Sequence, residues 1–219
     1  NAGSTRLGTG SILTGSGTFN TSNTVDLASN LTLSATTPVL NFGGASNAAT
    51  VNAITPGTTL TVASGKTLTL ANDTIGANVN LVNQGYVVIP ANTASAISAG
   101  LSNAVGATIE IQSSDVCCTG AYNGTLTVAS GFTNSGTLLL RSYGTVGAGT
   151  SRLDISSGTL TNAVGGVIQA MGTVDSAVVN GQVLNSGTIQ VDRSLTIGNT
   201  GLVFDTSTGT VSIANGMSL

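Results

Sequence analysis

Leu81-Val82-Asn83-Gln84-Gly85-Tyr86-Val87-Val88-Ile89 decides the fold. An apolar residue and a small or β-branched one lead into an Asn. A Gly follows, and then a β run. The phrase returns as Leu101-Ser102-Asn103-Ala104-Val105-Gly106-Ala107-Thr108-Ile109 and as Phe132-Thr133-Asn134-Ser135-Gly136-Thr137-Leu138. Two further copies are Leu160-Thr161-Asn162-Ala163-Val164-Gly165-Gly166-Val167-Ile168 and Val183-Leu184-Asn185-Ser186-Gly187-Thr188-Ile189. Self-similarity at a period of tens of residues is the mark of a repeat architecture.

Asn83, Asn103, Asn134, Asn162 and Asn185 stand 20, 31, 28 and 23 residues apart. A mean of about 25 residues suits one coil of a parallel β-helix, with three short strands and three turns. The whole chain then makes about nine coils, which stack at ~4.8 Å into a rod roughly 40 Å long. The half-coils between the phrases repeat too: Leu60-Thr61-Val62-Ala63-Ser64-Gly65 matches Leu126-Thr127-Val128-Ala129-Ser130-Gly131. Leu153-Asp154-Ile155 and Leu195-Thr196-Ile197 are looser relatives. The expected unit is strand, Gly turn, strand, Asn turn, strand.

Composition agrees. Among 219 residues only 6% are charged, against a globular average of about 25%. Thr, Val, Ser, Asn and Gly are poor helix formers, and β-branched residues suit a pleated surface. Thr59-Leu60-Thr61-Val62 and Thr67-Leu68-Thr69-Leu70 alternate with the period of half-buried strands. The expected class is all-β, a single solenoid over 1–219, with less regular coils over 1–58 and regular ones over 59–219.

In such a coil the Asn has a structural task. It tolerates left-handed turn geometry and carries both a donor and an acceptor. Equivalent asparagines on successive coils are therefore expected to bond to one another as a ladder. The Gly that follows permits a corner with positive φ.

These phrases resemble the passenger regions of filamentous haemagglutinin-like and autotransporter adhesins, large secreted bacterial surface proteins. The similarity lies in Phe132-Thr133-Asn134-Ser135-Gly136-Thr137-Leu138, Leu160-Thr161-Asn162…Gly166-Val167-Ile168 and Leu184-Asn185-Ser186-Gly187-Thr188-Ile189. It implies a right-handed parallel β-helix, export through the cell envelope, an extracellular surface location and a role in attachment or scaffolding. It carries no site residues with it.

Several function classes fit poorly. Five basic residues (Arg6, Lys66, Arg141, Arg152, Arg193) are scattered, so no cationic patch for nucleic acid forms. No run of about 18 apolar residues is present to insert into a membrane. The chain opens on Asn1 without a signal-peptide pattern, which reads as a mature or excised piece of a longer product. The segment 211–219 still reads as coil, so either the chain continues or another copy stacks on it.

Cys117 and Cys118 are adjacent, and neighbouring strand residues point to opposite faces. A vicinal disulfide, links to another chain, and free thiols all remain open readings. No His and no further Cys exist to complete a zinc site. Asp154, Asp175 and Asp192 are spaced to approach one another on successive coils, as a polysaccharide-cleaving enzyme would need. With three Tyr and no Trp to line a sugar groove, the eight acids (Asp26, Asp73, Glu110, Asp115, Asp154, Asp175, Asp192 and Asp205) read as solvated surface groups. The Thr pairs at 59/61, 67/69, 125/127 and 159/161 are too unevenly spaced for an ice-ordering array. Asn-x-Ser/Thr at Asn20, Asn30, Asn72 and Asn123 is what chance yields in this composition.

The expectation is a non-enzymatic extracellular fibre, sheath or adhesin stalk with no cofactor and no catalytic residue. Its partners are copies of itself or adjoining coils. A module that binds a polysaccharide or host-surface ligand is the alternative. Segments 38–49 and 113–124 are the expected contact loops.

Overall fold

A computed structural model describes residues 4–9, 11, 13–21, 23–42, 48–116, 120–146, 149–174, 176–198 and 201–219. Their regular structure is entirely β, and nearly every strand pairing is parallel. The chain winds as a three-faced β-solenoid. Nine strands stack on the first face: Thr5–Leu7, Asn23–Leu27, Ala49–Ala53, Thr74–Ile75, Thr93–Ile97, Gly124–Val128, the first parts of Thr150–Asn162 and Ser176–Asn185, and Leu195–Ile197. The nine strands mark nine coils.

The second face carries Leu31–Leu33, Thr58–Val62, Val79–Asn83, Leu101–Asn103, Thr133–Asn134, the later parts of Thr150–Asn162 and Ser176–Asn185, and Phe204–Asp205. The third carries Thr67–Thr69, Tyr86–Ile89, Thr108–Val116, Thr137–Ser142, Val167–Met171, Thr188–Val191 and Thr210–Ile213. In the first two coils the third face is a separate pair, Thr18–Thr21 with Val39–Phe42.

Alternation within each strand divides core from surface. In Thr58–Val62 the side chains of Leu60 and Val62 are fully buried, and Thr59 and Thr61 point outward. Parallel register lines like residues up between coils. Leu68, Val87, Ile109, Leu138, Ile168 and Ile189 form one column, and Ile89, Ile111, Leu140, Ala170 and Val191 the next. All of them are fully buried. Burying such a side chain is worth about 1.5–3 kcal/mol, so these columns carry much of the fold's stability.

The likeness of Leu60-Thr61-Val62 to Leu126-Thr127-Val128 does not mean equivalent places. The first lies on the second face and the second on the first face. A short alternating strand ahead of a Gly turn fits either face, because both present the same flat apolar interior. Leu153-Asp154-Ile155 does sit beside Leu126-Thr127-Val128, but Ile197 aligns with Val179 and Leu153, two residues out of step with that likeness.

Over coils 3 to 8 the corners between the second and third faces alternate from coil to coil, whereas coil 2 carries the same four-residue turn as coil 3, closed by Thr37 N–H to Ser34 O at 3.0 Å. In coils 3, 5 and 7 a four-residue turn closes by Lys66 N–H to Ala63 O at 3.0 Å, Ala107 N–H to Ala104 O at 3.0 Å and Gly166 N–H to Ala163 O at 2.8 Å. Each has a Gly in the left-handed region, with φ of 74° at Gly65, 77° at Gly106 and 83° at Gly165. In coils 4, 6 and 8 the corner is only Asn-x-Gly. Gly85, Gly136 and Gly187 nest against two carbonyl oxygens of the longer turn before them, where a Cβ would overlap those oxygens. The uneven spacing of the asparagines conceals this regular alternation.

One excursion breaks the winding. Thr108–Val116 runs past the third face and pairs antiparallel with Gly120–Tyr122, making a hairpin within the expected contact segment 113–124. Cys117 and Cys118 lie outside the described residues, as do residues 43–47 of the other expected contact segment. No helix among the described residues is long and apolar enough to cross a membrane.

Candidate functional site

The five asparagines meet inside the rod. Asn83 Nδ2 donates to Asn103 Oδ1 at 2.8 Å, Asn103 to Asn134 at 2.7 Å, Asn134 to Asn162 at 2.8 Å and Asn162 to Asn185 at 2.7 Å. Each Nδ2 places its second hydrogen on a backbone oxygen, of Thr108, Thr137, Val167, Thr188 and Thr210 in turn. The five side chains are at most 1% exposed. At the upper end Asn185 Nδ2 meets Thr206 Oγ1 at 3.0 Å, and at the lower end Val62 occupies the position equivalent to Asn83. A dry interior makes such a chain of amides strong when complete and costly when broken. With both hydrogens used internally, the asparagines have no group to offer a ligand.

Other asparagines also stitch coils together. Asn30 Oδ1 accepts the Thr59 N–H at 2.9 Å, Asn72 Oδ1 that of Ala94 at 2.9 Å, and Asn123 Oδ1 that of Thr150 at 2.8 Å. Three of the four Asn-x-Ser/Thr positions therefore serve the same stacking purpose as the ladder.

The polar chemistry of the surface gathers on the third face over coils 5 to 8. Glu110 occupies an outward position, yet it is only 1% exposed. Tyr143 Oη donates to Glu110 Oε1 at 2.9 Å, and Gln112 Nε2 donates to the same oxygen at 3.1 Å. Arg141 lies over the Tyr143 ring, with its guanidinium carbon 4.7 Å from the ring centroid. Burial, and next the bond to Glu110, raise the Tyr143 phenol above its ordinary value. Nearby, Asp115 Oδ1 accepts the Thr145 N–H at 2.7 Å and Asp115 Oδ2 accepts the Val146 N–H at 2.7 Å, which holds the loop after Thr137–Ser142 against the hairpin. Further up the same face, Gln169 and Gln190 both donate their amides to Asp192 Oδ2, at 2.7 and 2.8 Å.

Asp154 and Asp192 are not brought together. Asp154 is on the first face, paired with Arg152 at 2.7 Å and bonded by Asn180 Nδ2 at 2.8 Å. Asp192 follows the third-face strand Thr188–Val191. Asp175 lies outside the described residues. The half-exposed Arg152–Asp154 pair is of the surface kind that contributes well under 1 kcal/mol.

The expectation that the acids are solvated fails for three of them: Asp73, Glu110 and Asp115 are buried. Asp73 Oδ1 accepts the Ala49 N–H at 3.0 Å and Oδ2 accepts the Ala71 N–H at 2.8 Å, so it joins coil 3 to coil 4. Burial raises its pKa to about 6 against the opposing pull of those two N–H groups. Sequence patterning missed these acids because Glu110 alternates as a surface residue and its covering ring comes from 33 positions away.

The Thr pairs fall on three different faces, so they form no single array. A hollow lined by Thr14, Gly15, Ser16, Ala35 and Thr36 between the first coils has no charged group in its lining. Among the described residues no three His, Cys, Asp or Glu side chains are placed to hold a metal ion. No family model, curated protein or solved structure matches this chain.

Proposed function

We propose that this chain is a structural rod of an extracellular fibre, sheath or adhesin stalk, without enzymatic activity, and that its coils associate end to end. The parallel stacking of nine coils, five of them joined by one amide ladder, carries this reading. Such a stack resists bending because from coil 3 onward every coil is bonded to the next on three faces. The last coil supports the end-to-end contact. Val211 and Ile213 continue columns that are fully buried below them, but Ile213 is 49% exposed and Val211 only partly covered. Any further coil placed there, of this chain or of another copy, would cover them. The low charge and the adhesin-like Asn phrases point the same way.

Negative-stain microscopy at micromolar concentration, with and without reductant, tests the assembly. The expected result is rods whose lengths are multiples of one chain. Uniform single-length particles at the highest soluble concentration would remove end-to-end association. Loss of a measured glycan-depolymerising activity on Asp154→Asn or Asp192→Asn would overturn the non-enzymatic reading.

A further inference from the structure

The outward positions of this solenoid are mostly short side chains, yet three of its five glutamines stand on one face within four coils. Gln112, Gln169 and Gln190 all lie on the third face, beside Arg141, Tyr143 and Asp192. Strand register sets their layout. Gln169 is opposite Gln190, and Gln112 is opposite Arg141, which is opposite Met171. From the Arg141 coil to the Gln190 coil the patch runs two inter-strand steps, about 10 Å along the rod axis.

Two features prepare this patch for a ligand. First, Tyr143 is 49% exposed yet fixed, with its hydroxyl on Glu110 and Arg141 over the ring. A fixed ring costs little ordering entropy when another flat group packs on it. Second, Asp192 Oδ2 holds both Gln169 and Gln190 amides. Asp192 Oδ1 and the Oε1 atoms of the two glutamines take no hydrogen bond from a described residue. They form a fixed row of acceptors, and Arg141, one coil below Gln169 on the same face, supplies donors.

The geometry points to a binding subsite for a neutral, β-1,4-linked oligosaccharide lying along the third face. A pyranose presents a C–H face that packs on an aromatic ring and hydroxyls that both donate and accept. Tyr143 meets the first requirement, and the Gln169–Asp192–Gln190 row with Arg141 meets the second. A flat, extended β-1,4 chain suits a flat sheet, and the patch is about as long as a disaccharide. The charges of the half-buried Arg141 and the exposed Asp192 balance. A sulfated or carboxylated glycan would need clustered arginines, and only one is present. This subsite is independent of end-to-end assembly.

Titration calorimetry of the intact chain with cellotetraose and chitotetraose, with a heparin tetrasaccharide as the acidic arm, tests the subsite. Sub-millimolar binding of at least one neutral probe is expected. Tyr143→Ala is expected to weaken it about 10-fold or more, and Tyr143→Phe, which keeps the ring, by less. Gln190→Ala, at a partly exposed position that leaves the core intact, is expected to weaken it several-fold and serves if Tyr143→Ala fails to fold. No binding of either neutral probe at 10 mM, binding unchanged in both Tyr143→Ala and Gln190→Ala, or binding of the heparin fragment alone would each overturn the proposal. Rod lengths recorded by microscopy on the same samples separate this outcome from the fate of the assembly reading.

Discussion

Gly136 sits above Ala104, so close that a Cβ on it would overlap that residue's carbonyl oxygen, and the Ala107 carbonyl closes the other side. This contact lets a short corner nest on a long one, and it leaves no room for a methyl group. Gly136→Ala is expected to destabilise the fold by about 3 kcal/mol, since a packed backbone yields little to an inserted carbon. Gly106→Ala adds its Cβ to open space and has only its left-handed backbone to accommodate. It is expected to cost about 1 kcal/mol. Urea unfolding followed by circular dichroism measures both, and equal costs would refute the nesting account.

Interior rungs of the ladder should matter more than its lower end. Asn134→Val removes partners from both Asn103 and Asn162 and strands their buried polar atoms. An expected loss is about 3 kcal/mol. Asn83→Val disrupts one neighbouring asparagine and the bond its Oδ1 accepts from Gly85 N–H. Val62 already fills the equivalent position one coil below, so a smaller loss of about 1–2 kcal/mol is expected. The difference between the two urea midpoints is the test.

Asp73 makes stability depend on pH in an unusual direction for a carboxylate. Its folded pKa is raised from 3.8 to about 6, so the folded state holds the proton more tightly than the unfolded chain does. The resulting stabilisation is full below pH 4 and is lost as pH rises through about 6. It amounts to about 3 kcal/mol. The chain has no His to mask a change in this window. Hydrogen exchange of the Ala49 and Ala71 amides, corrected for the intrinsic rate, should show more protection at pH 4.5 than at pH 7.5. Asp73→Asn should abolish that difference.

Asp115 holds the loop 144–146 through two backbone N–H groups. Asp115→Ala is expected to speed tryptic cleavage after Arg141 several-fold, while the rest of the rod keeps its thermal midpoint within a few degrees. Unchanged cleavage would mean that the hairpin alone fixes the loop.

The fold was legible in sequence because the ladder demands the same residue at the same corner on five successive coils. Asn83, Asn103, Asn134, Asn162 and Asn185 could be read from their phrases despite intervals of 20 to 31 residues. The face on which a strand lies was not legible, as Leu60-Thr61-Val62 and Leu126-Thr127-Val128 show, because all three faces bury the same kind of side chain. The polar patch was hidden for a different reason. Glu110 and Tyr143, 33 positions apart, meet only because two coils are in register, and the stretch between them includes a hairpin that local pattern does not announce. Asp73 likewise looks like any surface acid until the coils that cover it are in place.

The alternation of long and short corners has a parity. A short corner, with its nested glycine, needs a long turn below it, whereas a long turn needs no short corner above it, as the successive long turns of coils 2 and 3 show. Removing coil 5 or coil 7 alone would set one short corner on another, and removing a neighbouring long and short pair would not. Within coils 3 to 8 the pair of coils, not the single winding, is therefore the unit that can be deleted or grafted.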